Sequence, residues 1–522
     1  MTRSDWKALG ILAAFSLFVL FFVSQDSYIY DLHSRDDSAW FFMCGKAWMS
    51  GLTPYVDFAD SKGPLLWLIY GLGYLFHPDD YLGVFWITCI WYSLTFFFTY
   101  KVAFIFLNNS KRALSCAIMM AIAFFLPYYH NEIRSEDFCL LFMVLSLYQV
   151  CRLMYLENIP KKTIRESFSI LGCCFGALLL IKYNIAVMQS IFIICALVVL
   201  VKERINWKEP FFYGLIGISA SIIPFLLYFL IEGNFAAFIK EYFINTIHTV
   251  SGYNPYWNPG NLLQARVRTD SPCLSYLLEW GDLLYSPKIA ILFVILVLGG
   301  LLFYKNNENY RWMPFLSSLW IFALTMVHHT GYYFSICSFL LIFFIIELMK
   351  IINSKWEKKI ILVASITLMI IIPFYLLTYS FKLLIFNDNV NQKDFYMVSS
   401  VMSQVNNPKL INAYAYEHGY GILSQSLPAG KYWSRQNGMT FEMMKEHEDL
   451  ILSGQADFII IDSQNFTEKT RIQEQQLLDI GYVEYLRFGK DQTICLYSNI
   501  TDLEVKNDAS PSLRELFLKK TY

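Results

Sequence analysis

Charge is what this chain has least of. Only 16% of its 522 residues are Asp, Glu, Lys or Arg, against about a quarter in an average soluble domain. The two signs nearly cancel, 41 basic against 42 acidic, for a net charge of −1. That balance removes the basic footprint by which a protein holds nucleic acid. Zinc-type spacing is missing as well. The 11 cysteines include no Cys-x-x-Cys pair, and most (Cys89, Cys116, Cys173, Cys174, Cys195) sit inside apolar runs, where they act as small hydrophobes. No repeat of solenoid period is visible. What the chain does have is 56% hydrophobic residues, 18% aromatic residues and a mean hydropathy of +0.41. Such a composition is solvated by lipid.

Apolar segments of spanning length recur at 8–24, 81–107, 113–129, 138–156, 167–181, 183–201, 209–231, 286–304, 312–327, 331–349 and 360–380, eleven in all. The first follows Arg3 and Lys7 with no small-x-small cleavage site, so it reads as an uncleaved helix rather than a signal peptide. The run 64–77 has 14 residues, short of the roughly 20 a spanning helix needs, and reads as re-entrant or surface-lying. Charge bears on that choice. With 64–77 left out of the count, the loops on the N-terminal side (1–7, 108–112, 152–166, 202–208, 305–311, 350–359) hold 17 Lys/Arg in 51 residues. The opposite loops (25–63, 130–137, 182–184, 232–285, 328–331) hold 8 in 108. The positive-inside rule assigns the denser set to the cytoplasm, and counting 64–77 as a span would destroy the asymmetry.

Two expectations follow. The N-terminus lies in the cytoplasm, and an odd number of spans puts the C-terminus outside. The chain is read as an all-α polytopic membrane protein of about 11 transmembrane helices (1–380) with a small C-terminal extracytoplasmic α/β domain (381–522). The membrane part carries a first outer loop (25–80) and a large outer loop (232–285). In the tail, 455–462 reads as a buried strand, 482–488 and 492–497 as a later strand pair, and the glutamine-rich 467–479 as a helix.

On this topology the polar residues at the outer helix ends share one side of the membrane. They are Asp36, Asp37, Asp57, Asp60 and Lys62 in the first loop; Arg134, Glu136 and Asp137 after the third helix; Lys182 and Asn184 after the fifth; and His328, His329, Tyr332 and Tyr333 after the ninth. Acids and lysines gathered beside a bilayer are costly unless they do chemistry or bind a ligand. Carboxylates can take a hydroxyl proton and lysines can neutralise a phosphate. Each residue also has a plainer role. Pro54-Tyr55-x-Asp57 is good turn chemistry, Glu136 and Asp137 suit a helix N-terminus, and Lys62 can snorkel.

The pattern Asp37-Ser-x-x-Phe41, Gly45-Lys46, Pro54-Tyr55-x-Asp57-Phe-x-Asp60-x-Lys62-Gly63-Pro64-Leu65 resembles the first-loop signature of bacterial GT-C glycosyltransferases. These enzymes use polyprenyl-phosphate sugars and are related to protein O-mannosyltransferases and lipid A aminoarabinose transferases. Asn131, Glu136-Asp137-Phe138 and Ile181-Lys182-Tyr-Asn184 resemble the family's second acidic motif and its apolar-Lys-x-Asn turn. The resemblance spans roughly 8–350 in architecture, and its strong motif is the first loop. It implies Asp37 as the essential carboxylate, with Asp36 the alternative because some relatives carry Asp-Glu there. The offsets to Phe41 and Gly45-Lys46 favour Asp37. It further implies Glu136 as the second-loop carboxylate and Lys62 at the donor phosphate. Lys182 and Arg134 are further candidates for the phosphate, and Asp137, Asp60, His328, His329 and Tyr332 for the lining of the site. Asp37 with Glu136 could hold Mg²⁺ or Mn²⁺ through oxygen, or lysines could neutralise the phosphate instead.

The expected activity is inverting transfer of a sugar from a polyprenyl-phosphate donor to a cell-envelope glycan or glycolipid. It would take place at the outer face of the bacterial cytoplasmic membrane, with the lipid bilayer as partner and no nucleic acid. Two alternatives stand beside it. A lipid-linked glycan polymerase or ligase would favour large arginine-rich outer loops, and 232–285 offers only Arg266 and Arg268. A flippase or transporter would favour mid-membrane charge and repeated halves.

Overall fold

The structure is a computed structural model that describes residues 1–30, 36–125, 133–155, 159–246, 287–306, 310–325, 334–351, 389–413, 419–434, 439–462, 474–488 and 494–504. Six described helices are long and apolar enough to cross a membrane: α1 (Arg3–Val23), α4 (Leu82–Leu107), α6 (Ser135–Tyr155), α7 (Lys161–Ile181), α8 (Tyr183–Lys202) and α9 (Lys208–Ile231). Between α1 and α4 lie α2 (Asp36–Met49) and α3 (Pro64–Phe76). Three other apolar helical stretches are shorter: α3, Ile289–Lys305 of α11 (Pro287–Asn306), and α12 (Met313–Thr325); α5 (Ser110–Phe125) has 16 residues. The expected span 331–349 is interrupted. It appears as α13 (Ser335–Ser338) and α14 (Leu341–Ile351), because Leu340, Ile342 and Phe343 donate to carbonyls three residues back and tighten the chain between them. The expected span 360–380 lies outside the described residues.

The chain divides into two compact units. One contains 1–23, 88–226 and 266–380; the other contains 24–87, 227–265 and 381–522. In the first, α1 opens on a reciprocal cap, Thr2 N donating to Asp5 Oδ2 (2.9 Å) and Asp5 N to Thr2 Oγ1 (3.3 Å). Small residues let α7 and α9 touch backbone to backbone. A Cβ added at Gly172 would meet the Gly214 carbonyl, and one at Gly217 the Ser169 carbonyl. Lipid gives apolar helices no hydrophobic reason to associate, so this close van der Waals approach is what holds them. Ser221 Oγ adds a bond to the Cys173 carbonyl at 2.9 Å. A single residue, Lys182, joins α7 to α8 in an extended conformation, ending one helix and starting the next.

In the second unit, α3 starts after Gly63 with Pro64 in its first turn. Its 13 residues make about 20 Å, less than the roughly 30 Å hydrocarbon core. It packs against α2 at Gly45, where a Cβ would run into the Gly71 backbone. After α9 come α10 (Phe235–Phe238) and a π-helix, Ile239–Asn245. The tail holds a five-stranded sheet of order β2-β1-β3-β5-β4: β1 Lys409–Ala413, β2 Leu427–Pro428, β3 Phe458–Asp462, β4 Val483–Phe488 and β5 Ile494–Ser498. β1 runs parallel to β2 and β3, while β5 is antiparallel to β3 and β4. The isoleucine run makes β3 the buried centre: Ile459 and Ile461 join Ile411, Tyr482 and Tyr497 in one core. Helices α15 (Asn389–Met402), α16 (Tyr420–Leu423), α17 (Phe441–Leu452) and α18 (Glu474–Asp479) accompany the sheet. Of the expected helix 467–479, only α18 falls within the described residues.

Candidate functional site

In the first unit the second acidic motif sits at the start of α6. Glu136, 2% exposed, pairs with Lys182 Nζ and accepts a bond from Ser135 Oγ at 3.0 Å. Lys182 reaches it because the turn between α7 and α8 has no other residue. Asp137 accepts from the Tyr92 hydroxyl of α4 and from the Arg134 amide at 2.7 Å. The latter bond closes the helix N-terminus, which also favours negative charge. Two acids and a lysine thus sit buried where α4, α6, α7 and α8 meet. The sequence places Glu136 and Lys182 in separate loops, and the fold makes them one ion pair.

In the second unit, Asp36 and Asp37 are the first two residues of α2. Asp37 is partly buried; the Asp36 side chain lies outside the described residues. The loop after α2 is a set of local bonds. Asp57 Oδ2 accepts the Thr53 amide at 2.7 Å, and Asp60 Oδ1 accepts the Ser61 amide at 2.5 Å and its hydroxyl at 3.2 Å. Lys62 Nζ donates to Ser61 Oγ at 3.2 Å and stands 5.8 Å from the Phe41 ring centre. Tyr55, fully buried, donates its hydroxyl to the Lys62 carbonyl at 3.1 Å. It does so from a left-handed backbone conformation, φ 66°, a region a bulky residue occupies only when its surroundings hold it there. Trp67, Phe229, Phe238 and Tyr242 surround its ring.

Three features here have partners that sequence spacing does not show. Lys46 is 1% exposed, donates to the Gly421 carbonyl at 2.9 Å, and burial brings its ammonium down to about 7 against the pull of Asp79. Trp40, one turn after Asp37, stacks on Trp433 with ring centres 4.9 Å apart and planes within 3°. Glu241, buried in the π-helix, pairs with Lys431 and accepts from Tyr432 and Asn245 at 2.8 Å each. His328, His329 and Tyr332 lie outside the described residues.

Among the described residues no group of three or more His, Cys, Asp and Glu side chains is placed to hold a metal ion. The expected ligand Glu136 already has an ammonium against it. A divalent ion at Glu136 would face that like charge.

Residues 61–228 match the family described as dolichyl-phosphate-mannose-protein mannosyltransferase. No curated protein matches the sequence of the chain. The fold is similar to two crystal structures of ArnT from Cupriavidus metallidurans, each at TM-score 0.59 and 12% identity. The apo form is matched over 94% of this chain and 97% of that one, and the form bound to undecaprenyl phosphate over 98% and 100%. The Archaeoglobus fulgidus oligosaccharyltransferase AglB, in complex with an inhibitory peptide and a dolichol-phosphate, is more distant, with TM-score 0.47 and 11% identity over 97% of this chain and 75% of that one. Residues 61–228 thus resemble that mannosyltransferase family, and the chain shares the ArnT fold.

Proposed function

We propose that the protein transfers a sugar from a polyprenyl-phosphate donor to a hydroxyl of a cell-envelope glycan or glycolipid, at the outer face of the bacterial cytoplasmic membrane. The observation that carries this reading is the family match across 61–228, which contains Lys62, Arg134, Glu136 and Lys182. The undecaprenyl phosphate in one of the ArnT structures supports a lipid-phosphate donor here. The positive-inside count supports a cytoplasmic N-terminus, with Asp37 and the tail 381–522 outside.

The chemistry is a single displacement. The acceptor oxygen bonds to the anomeric carbon as the bond from that carbon to the phosphate oxygen breaks, which inverts the centre. Asp37, or Asp36 in its place, takes the acceptor proton. The lipid phosphate leaves with both bonding electrons toward Lys62; Arg134 and Lys182, of the second motif, are further phosphate candidates. Glu136, held by Lys182, is the second catalytic carboxylate. Asp137, Asp60, His328, His329 and Tyr332 are candidates for the lining of the site from the resemblance.

The test is the surface-glycan profile of a deletion strain beside an Asp37→Ala strain. Loss of the same sugar residue from both names the reaction. An unchanged profile in both refutes it.

A further inference from the structure

The turn 431–433 of the tail touches three separate parts of the second unit: the π-helix, the loop at Ala59, and α2. The Lys431 side chain pairs with Glu241 in the π-helix, and its carbonyl accepts the Ala59 amide at 3.0 Å. Tyr432 donates its hydroxyl to Glu241 and packs with Ala59 and Met439 in a small core. Trp433, fully buried, stacks on Trp40 of α2. The turn is itself fixed from behind: Asn412 of β1 donates its amide to the Trp433 carbonyl at 2.8 Å, and His447 Nδ1 of α17 lies 2.5 Å from the Tyr432 carbonyl.

The partners on the far side are the elements that carry the proposed chemistry. Trp40 is three residues after Asp37 on α2, so the two side chains lie on one helix face. Ala59 is three residues before Lys62 in the loop that Tyr55 closes. The ion-paired carboxylate comes from a π-helix, a rare form that is frequent at functional sites. A buried charge pair is a poor way to gain stability over apolar packing, but it fixes one geometry.

On the reading of Asp37 and Lys62 given above, we propose that residues 431–433 form a positioning strap that sets the Asp37 helix and the Lys62 loop in catalytic register through Trp40, Ala59 and Glu241. The tail is then part of the catalytic machinery and more than an appendage. Trp433 is the positioning residue that matters most, because its stack is the contact nearest Asp37 in sequence.

The test uses the full-length protein in two readouts: glycan product in the complemented deletion strain, and binding of undecaprenyl phosphate to the purified enzyme. Trp433→Ala is expected to lower product about a hundredfold, the cost of a misplaced catalytic group, with undecaprenyl phosphate affinity unchanged and the melting midpoint lowered by the emptied buried site. Trp433→Phe, which keeps a stacked ring, restores most of the product. Glu241→Gln and Lys431→Met each lower product, and the reversed pair Glu241→Lys with Lys431→Glu recovers part of it. Wild-type product from Trp433→Ala while Asp37→Asn is inactive overturns the strap and leaves the site reading intact. Normal product from Asp37→Asn overturns both. If Trp433→Ala does not fold, the Glu241 and Lys431 singles decide, and wild-type product from both overturns the proposal.

Discussion

Glu136→Gln is the most telling single change in the first unit. The Glu136 side chain is 2% exposed and that of Lys182 9%, so water screens neither charge. Replacing the carboxylate by an amide keeps the shape and leaves the ammonium with no counter-charge from that residue. Breaking a buried pair from one side costs about 3–5 kcal/mol, whereas an exposed pair is worth about 0–1 kcal/mol. The expected loss is therefore at least about 3 kcal/mol of unfolding free energy, measured by denaturant titration of the purified protein in detergent. Lys182→Met leaves the opposite orphan and is expected to cost a similar amount. The double variant removes both charges and costs less than the sum of the singles, with a coupling of about 1–3 kcal/mol. A loss below about 1 kcal/mol for Glu136→Gln, in the range of a solvated pair, would refute the burial argument. So would strict additivity in the double variant.

Three further outcomes follow from other parts of the fold. Lys62→Ala should weaken undecaprenyl phosphate binding about tenfold or more, the worth of one hydrogen bond to a charged group, as read by titration of the purified enzyme. Lys46 gives a pH dependence whose sign is fixed. Its folded value of about 7 lies below the ordinary 10.5, so between those two pH values the unfolded chain holds more protons, and stability rises with pH by up to about 1.4 kcal/mol per unit. Lys46→Met should flatten that rise in melting scans from pH 7 to 10. Gly217→Leu should separate α7 from α9, because even a Cβ there would collide with the Ser169 carbonyl. A loss of about 2 kcal/mol or more is expected in detergent unfolding, and a neutral outcome would contradict the packing.

Much of the architecture is legible locally. The 13-residue α3 shows in the sequence because Gly63-Pro64 starts it and its apolar run is too short to span. Strand β3 shows as an isoleucine run, and β4 and β5 as a strand pair near the chain end. The acids and lysines of the loops are visible as residues out of place beside lipid. What is hidden is partnership across long separations. Glu241 and Lys431 are 190 positions apart, and no period or motif links them. Lys46 sits inside a recognisable Gly-Lys pair, but its burial depends on the Gly421 carbonyl, 375 residues away. The interruption between α13 and α14 is also silent, since Phe339 and Leu340 are ordinary helix-compatible hydrophobes and only tertiary packing selects the tighter hydrogen bonds. Local chemistry thus marks which residues are expensive, and the fold decides what compensates each of them.

The central claim is that Asp37 takes the proton of the acceptor hydroxyl while a lipid phosphate departs. Its most direct test is Asp37→Asn in the full-length enzyme, with product formation and undecaprenyl phosphate binding measured on the same preparation. The account predicts a loss of about 10²–10⁴-fold in transfer, the worth of a general base, with lipid-phosphate affinity unchanged. Full transfer by folded Asp37→Asn protein would contradict it.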